Sequence, residues 1–259
     1  MRFRISLEVL GHGNPTIPIN YQYETSAWIY HTIAKGNREY ASWLHRNGFA
    51  DGNKQFRLFT FSRLLIADKR VIADRIHIQS GVISVVLSFL PEKSTEEFIR
   101  GVFANQHFVL GDSRSRVELR VSSVELIPDP AFTDTMVFEA MSPIVLSVRG
   151  SNGAPHYTAP SEVGTASRLQ HNLLQKYKVF YGGSFVGTHA LGFELLSLPR
   201  KHGITIKAGT AEQTRVIGYA YRFKIKLAPE LLRVGYSSGF GEKNSMGFGC
   251  VEVANEKSN

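Results

Sequence analysis

Residues 239–249 near the C-terminus have the sequence GFGEKNSMGFG, in which the unit Gly-Phe-Gly occurs twice across a five-residue spacer. Glycine adopts positive φ angles without steric cost and allows close approach of other backbone. The segment is therefore predicted to form a tightly turned loop. A glycine-rich hairpin turn is the simpler interpretation, but the doubled Gly-aromatic-Gly unit is more specific than such a turn requires.

Three common glycine motifs do not fit this segment. No stretch of the chain has the Gly-x-x-x-x-Gly-Lys-Ser/Thr pattern of a Walker loop. A dinucleotide-binding fingerprint opens a helix, and nothing helical is expected after these glycines. Gly235-Tyr-Ser-Ser-Gly239 matches the nucleophile elbow of α/β-hydrolases, but no histidine follows His202 and no aspartate follows Asp134. The serine-hydrolase interpretation is therefore excluded.

The first half of the chain alternates between strand-like and helix-like patterns. Apolar residues from Phe3 to Val9 alternate with polar ones, as in a half-buried strand, and Asn37 is well placed to cap a short second helix. The predicted order is β-α-β-β-α-β, which is typical of a ferredoxin-like domain. The predicted elements are a strand at 3–9, helices at 21–34 and 37–48, strands at 56–66 and 76–90, a helix with a capping box at Ser94 and Glu97, and a strand at 117–121.

A second unit of the same kind follows Pro128-Asp129-Pro130, which has the composition of a linker. We predict an N-terminal ferredoxin-like domain at 1–127 and a C-terminal one at 131–259, so the fold class is α+β with two tandem domains and a C-terminal glycine-rich loop. The predicted elements of the second domain are strands at 136–148, 192–198, 204–207, 216–227 and 248–253, a helix capped by Ser161, and a short helix that begins at Pro229.

The composition favours an anionic partner. The 259 residues carry a formal net charge of +8 and a sequence pI near 9.6, as expected of a protein that binds nucleic acid or a membrane surface. Cys250 is the single cysteine, so neither a disulfide nor a cysteine-rich zinc site is possible within one chain. No apolar run is long enough for a membrane span and Met1 leads directly into a strand, so we expect a cytoplasmic protein.

The strand around residues 219–227 carries a row of cations. Arg222, Lys224 and Lys226 alternate with apolar residues and share one face. Such a face can follow RNA phosphates, or it can simply be solvated. The adjacent glycine loop and the basic composition favour RNA binding.

The doubled glycine unit resembles the C-terminal glycine-rich signature of the RAMP superfamily, and within it the CRISPR-associated endoribonucleases that cut precursor CRISPR RNA inside its repeats. The resemblance extends over essentially the whole chain, including Met141-Ser-Pro-Ile144 and Val234-Gly-Tyr236. It implies tandem ferredoxin-like domains and a loop that lies against RNA backbone. The residues implied in that contact are Gly239, Gly241, Lys243, Gly247 and Gly249.

The nine histidines show no His-x-x-x-His pair, and spacing indicates no cluster of carboxylates for a divalent metal, so we predict neither metal nor cofactor. His45 follows Leu44 at the C-terminal end of the predicted second helix, which favours a charged imidazolium, and His31 ranks second to it as a catalytic candidate. By position alone, such a histidine is more often a surface residue.

The family resemblance places the catalytic histidine at His45 and the catalytic tyrosine at Tyr30. It implies a third, cationic residue, for which Lys54 is narrowly preferred over Arg57. The implied activity is metal-independent cleavage by the RNA 2′-hydroxyl, with CRISPR repeat RNA as partner. The alternative is a catalytically inactive repeat-RNA-binding subunit of a CRISPR effector complex. Other effector subunits and a homodimer are further partners that this resemblance suggests, and we expect no membrane partner.

Overall fold

The computed structural model describes residues 1–11, 13–52, 54–151, 153–187 and 190–254. In the N-terminal half the helices are α1 (Gln22–Gly36), α2 (Arg38–Arg46) and α3 (Glu92–Ala104). The strands of this half are β1 (Arg2–Leu10), β2 (Thr16–Pro18), β3 (Phe49–Asp51), β4 (Lys54–Phe56), β5 (Phe59–Phe61), β6 (Lys69–Ile72), β7 (Arg75–Ile78), β8 (Val82–Phe89), β9 (His107–Gly111) and β10 (Arg116–Ile127).

The C-terminal half contains α4 (Thr165–Tyr181), α5 (Pro229–Ser238) and a short 3₁₀ turn at Asn244–Met246. Its strands are β11 (Thr135–Ala140), β12 (Ser147–Arg149), β13 (Pro155–Tyr157), β14 (Gly192–Leu195), β15 (Arg200–Ile206), β16 (Thr214–Ala220), β17 (Arg222–Lys226) and β18 (Val251–Val253). In the part of the chain that the structure describes, no helix is long and apolar enough to cross a membrane.

Both halves share one four-stranded topology, and in the N-terminal half β9 adds a fifth strand at the edge. The N-terminal sheet has the order β5-β8-β1-β10-β9, and the C-terminal sheet has the order β14-β17-β11-β18. In each sheet the first strand of the unit pairs antiparallel with the third and the fourth, and a helix precedes the second and the fourth strand. This arrangement is the ferredoxin-like fold, so the predicted pair of ferredoxin-like units is confirmed.

The core of the N-terminal half forms because β1 places alternate side chains on one face. Phe3, Ile5 and Leu7 are buried there beneath α1 and α3. In the C-terminal half, Phe138, Phe223 and Ile225 form the matching core beneath α4 and α5. Burial of these apolar side chains is the main stabilising contribution to both layers.

Two of the predicted helix starts are confirmed and two are wrong. The side chain of Asn37 caps α2 by accepting from the Tyr40 N–H at 2.9 Å, and Pro229 opens α5. α3, however, begins at Glu92, so the capping box is wrong. Ser94 lies inside the helix with its hydroxyl oxygen 2.6 Å from that of Tyr40, and Glu97 pairs with Lys93.

The N-terminus of α4 also differs from the prediction. Ser161 lies in the preceding turn, and the helix starts at Thr165 after Gly164, whose φ of 87° suits glycine. The single strand predicted at 136–148 is also wrong, because β11 ends at Ala140. The chain then leaves the sheet, and Ile144 forms an isolated bridge with Tyr219.

The two halves pack against each other through a buried arginine. Arg2, on β1, is only 2% exposed, and its guanidinium carbon lies 4.1 Å from the centre of the Tyr236 ring on α5. The same guanidinium donates to the carbonyl oxygen of Val251 on β18. Because the hydrogen-bond partners that the described residues offer to this charge all belong to the other half, it ties the relative placement of the two sheets to one geometry.

Candidate active site

A large cleft of about 1410 Å³ lies between the two halves. On the N-terminal side it is lined by α1, α2 and residues 54–58. On the C-terminal side it is lined by β12, α4 and residues 241–246 of the glycine-rich segment. Tyr30, His45, Lys54, Arg57 and Lys243 all line this cleft, so the structure brings together the catalytic candidates and part of the glycine-rich segment.

Tyr30 and His45 meet at the N-terminal wall. Tyr30 lies on α1, and His45 lies in the last turn of α2, which Asn37 starts immediately after α1. Their ring centres are 5.1 Å apart with the planes at 85°. Phe59 of β5 packs edge-on against Tyr30 at 5.5 Å, so the tyrosine ring is held between the core and the imidazole. The imidazole itself is exposed to the cleft.

The hydroxyl of Tyr30 is a weak acid in this setting. Burial raises the pKa of Tyr30 above its ordinary value, and the charge of Arg57 and the nearby polar side chain of Ser245 oppose that rise. At neutral pH the group therefore carries its proton and can donate a hydrogen bond. Such a group is suited to orienting a substrate hydroxyl.

Arg57 and Lys54 occupy different positions in the cleft. The Arg57 Nη2 donates to the carbonyl oxygen of His45 at 2.5 Å, and its Nη1 donates to that of Asn47 at 3.4 Å. It thereby satisfies carbonyls at the C-terminal end of α2 beside the Tyr30–His45 pair. Lys54 instead donates to the side chain of Gln175 on α4 at 3.0 Å. Arg57 is thus the cation beside the pair, and Lys54 bridges the two walls.

The four glycines of residues 239–249 have positive φ, between 72° and 90°, and are buried. A side chain at Gly241 would place its Cβ 2.3 Å from the carbonyl oxygen of Val145. The segment's N–H groups also donate to carbonyls of the chain itself, at Gly239, Phe240, Glu242, Met246, Gly247 and Gly249. These amides are engaged within the protein, whereas the side chains of Lys243 and Ser245 line the cleft.

A buried lysine that the sequence analysis missed holds this segment from inside. Lys176 of α4 is 1% exposed, and its ammonium donates to the carbonyl oxygens of Gly239 at 2.6 Å and Gly241 at 2.9 Å and to Asn244 Oδ1 at 2.7 Å. Burial lowers the pKa of Lys176 to about 7, and the nearby Glu242 carboxylate opposes that shift. The available signal was its spacing, because Lys176 follows Leu169 and Leu173 on the apolar face of the helix.

The cation row on β17 lies apart from the cleft. Arg222 is 9% exposed, Lys224 is partly buried, and Lys226 is exposed with its Nζ 4.0 Å from Asp134. None of the three lines the cleft. The cleft has other basic residues on both walls, which the sequence analysis did not single out; they are Arg38, Arg46, Arg149, Arg168 and His171.

Within the described ranges, no group of three or more His, Cys, Asp or Glu side chains is placed to hold a metal ion. The titratable groups at the Tyr30–His45 pair are a phenol, an imidazole and a guanidinium, which suit proton transfer and charge stabilisation.

The chain matches two models of one protein family along most of its length. Residues 16–122 match the N-terminal domain of the CRISPR-associated protein Cas6, and residues 127–253 match its C-terminal domain. The sequence is 29% identical to the CRISPR-associated endoribonuclease Cas6 1 of Methanocaldococcus jannaschii, over 98% of this chain and 94% of the relative. It is 28% identical to the CRISPR-associated endoribonuclease Cas6 of Pyrococcus furiosus, over 93% and 85% of the two chains.

A solved structure described as a Cas6-related gene of Pyrococcus furiosus has the same fold. It superposes with a TM-score of 0.84 at 24% identity and covers 99% of both chains. The topology, the two domain models and the full-length relatives all indicate the same family. The chain belongs to the Cas6 family of CRISPR-associated proteins.

Proposed function

We propose that this chain is a metal-independent endoribonuclease that cuts precursor CRISPR RNA within its repeats and so releases guide RNAs. The names of its relatives in Methanocaldococcus jannaschii and Pyrococcus furiosus support the activity. The single observation that carries the mechanism is the Tyr30–His45 pair, at 5.1 Å between ring centres, on the wall of a cleft rich in cations. We place the reaction in the cytoplasm, with repeat RNA as the principal partner.

In this mechanism the RNA supplies its own nucleophile. The 2′-hydroxyl oxygen attacks the adjacent phosphorus and loses its proton to solvent while Tyr30 orients it. The bond from phosphorus to the 5′-oxygen breaks, and the imidazolium of His45 gives its proton to that oxygen. The products carry a 2′,3′-cyclic phosphate and a 5′-hydroxyl. Each step needs only a positioned hydroxyl, an acid and a cation.

In this proposal Arg57 stabilises the negative charge of the transition state. Negative charge accumulates on the phosphoryl oxygens in the transition state, and the positive charge of a nearby guanidinium stabilises it. Arg57 is already placed by its bonds to the carbonyls of His45 and Asn47, so little ordering is needed during the reaction. Lys54 is the second candidate for this role, from a position that joins residues 54–58 to α4.

RNA binding uses both walls of the cleft. Lys243 and the arginines that line the cleft supply positive charge for phosphates, and the row on β17, of which Lys226 is the exposed member, adds long-range attraction from outside the cleft. Other subunits of a CRISPR effector complex, and a second copy of the chain, are the protein partners that we include in the proposal. Size-exclusion chromatography with light scattering, with and without repeat RNA, tests the second copy.

The decisive experiment is cleavage of repeat RNA from the protein's own host in EDTA. We expect cleavage to persist in the chelator and to stop when a single 2′-hydroxyl, upstream of the scissile phosphate, is replaced by hydrogen. Cleavage of that deoxy-substituted RNA would rule out the internal nucleophile. Tight binding with no cleavage of either RNA would instead identify the chain as a non-catalytic repeat-binding subunit.

A further inference from the structure

We propose that Ser245 is a positioning residue that completes the active site from the C-terminal half, where its side chain holds the hydroxyl of Tyr30. In this proposal the glycine-rich segment of the C-terminal half places Ser245 against α1 of the N-terminal half. The proposal rests on the endoribonuclease function proposed above and adds a residue to its machinery.

The first argument is the contact between the segment and α1. The hydroxyl of Ser26 donates to the carbonyl oxygen of Ser245 at 2.7 Å, between residues 219 positions apart. Ser26 and Tyr30 are four residues apart on α1, so they lie on the same face of the helix. A residue held by Ser26 is therefore adjacent to Tyr30, and both Ser245 and Tyr30 line the cleft.

The second argument is that the hydroxyl of Tyr30 needs a partner of this kind. Its ring is partly buried, and the side chains of Ser245 and Arg57 are close enough to its hydroxyl to oppose the rise in the pKa of Tyr30. Arg57 is also bonded to backbone carbonyls at the end of α2. The serine is thus the one of these two partners that comes from the other half of the molecule.

The third argument is the rigidity of the segment on which Ser245 lies. The ammonium of Lys176 bonds three of its oxygens, and the carboxylate of Glu242 accepts from the N–H of Ser147 at 3.1 Å and from its hydroxyl at 2.8 Å. The amide of Asn244 donates to the carbonyl oxygens of Phe240 and Phe248. With its ends and its centre bonded, the segment cannot move Ser245 away from Tyr30 without losing buried polar contacts.

Gly247 allows the glycine-rich segment to pack closely against the N-terminal half. At Gly247 an added Cβ would lie 2.6 Å from the ring of Phe61 on β5 and 3.3 Å from the side chain of Gln22 on α1. Only a residue without a side chain allows this approach to the N-terminal half. The close packing there brings the 3₁₀ turn at Asn244–Met246, and with it Ser245, against α1.

The test compares Ser245→Ala, Ser245→Thr and Tyr30→Phe with the wild type. Alanine should lower the single-turnover cleavage rate about tenfold, the effect expected from one lost hydrogen bond, and leave the RNA dissociation constant unchanged. Threonine keeps the hydroxyl and should restore most of the rate. In the Tyr30→Phe background, Ser245→Ala should have no further effect, because the serine acts through the tyrosine.

A second readout does not depend on activity. The ultraviolet titration of Tyr30 in RNA-free protein, taken as the difference from Tyr30→Phe, should move to higher pH in Ser245→Ala. Unchanged titration and rate in Ser245→Ala, or an equal loss of rate in both backgrounds, would overturn the proposal. If the wild type cuts no RNA, the proposed function fails, but the titration still decides whether Ser245 holds Tyr30.

Discussion

The guanidinium of Arg57 donates to the carbonyl oxygen of His45 at 2.5 Å, so this cation binds the C-terminal end of α2 beside Tyr30 and His45. Together with the 5.1 Å separation of the Tyr30 and His45 rings, this bond places the three groups side by side, as the proposed mechanism requires of its acid, orienting hydroxyl and cation.

His45→Ala should slow single-turnover cleavage by about 10²–10⁴-fold, the range for a lost general acid, with little change in RNA affinity. The imidazole is exposed, so its removal should leave the fold intact. His31→Ala is the matched control, because His31 is also exposed and lines the same cleft. Equal rates for His45→Ala and the wild type would favour the non-catalytic subunit.

Arg57→Ala should cost more activity than Lys54→Ala, about 10²-fold against a few-fold, because the first removes charge beside the developing phosphorane. Arg57→Lys should recover only part of the rate, since an ammonium cannot reproduce the planar fork of the guanidinium. Single-turnover rates at saturating protein provide the measurement. The reverse order of the two alanine variants would assign the cationic role to Lys54.

Lys176 should make stability depend on pH. Burial lowers its pKa to about 7 in the folded protein, whereas the pKa of a lysine in the unfolded chain is about 10.4. Between these values the unfolded chain binds one more proton, so this residue makes the free energy of unfolding rise with pH, by up to about 1.4 kcal/mol per pH unit. Below about pH 7 both states are protonated, and the full cost of burying the charge is present.

The measurement is urea unfolding of wild type and Lys176→Met from pH 6 to pH 10. The free energy of unfolding of the wild type, minus that of the variant, should increase as pH rises from about 7. Parallel curves would show that the three oxygen acceptors keep the ammonium charged in the folded protein across this range.

Gly247→Ala should destabilise the protein more than Gly209→Ala. Both glycines have similar φ, 82° and 77°, so alanine costs about 1–2 kcal/mol at either from backbone strain. Only Gly247 has a neighbour in the way, the Phe61 ring, which should add about 1–3 kcal/mol. Urea unfolding of the two variants gives the comparison. Equal losses would contradict tight packing of the glycine-rich segment against β5.

Lys243→Ala should weaken repeat-RNA binding and reduce the log–log salt slope by about 0.7, as expected when one phosphate contact to single-stranded RNA is lost. Lys243 is exposed and lines the cleft. Lys226→Ala removes an equal charge from β17, outside the cleft, and separates a specific contact from a general effect of net charge. A larger effect at Lys226 than at Lys243 would show that the RNA lies along β17.

Much of this architecture follows from local patterns along the chain. The alternation from Phe3 to Val9, the capping amide of Asn37 and the helix start at Pro229 depend on interactions within a few residues, and each appears in the structure as predicted. The capping box at Ser94 and Glu97 is wrong for the opposite reason. Both side chains are drawn into tertiary contacts, Ser94 with Tyr40 and Glu97 with Asn37.

Patterns along the chain are therefore enough to predict the order of elements and the repeated ferredoxin-like unit. They also carry the family resemblance of the glycine-rich segment. Tertiary structure alone decided that Lys176 is buried under that segment, that Arg57 lies beside His45, and that Ser26 holds Ser245. These contacts join residues on different elements, so no pattern within one element indicates which groups become partners. Their energies depend on burial and on donors and acceptors from other elements, which no local pattern contains.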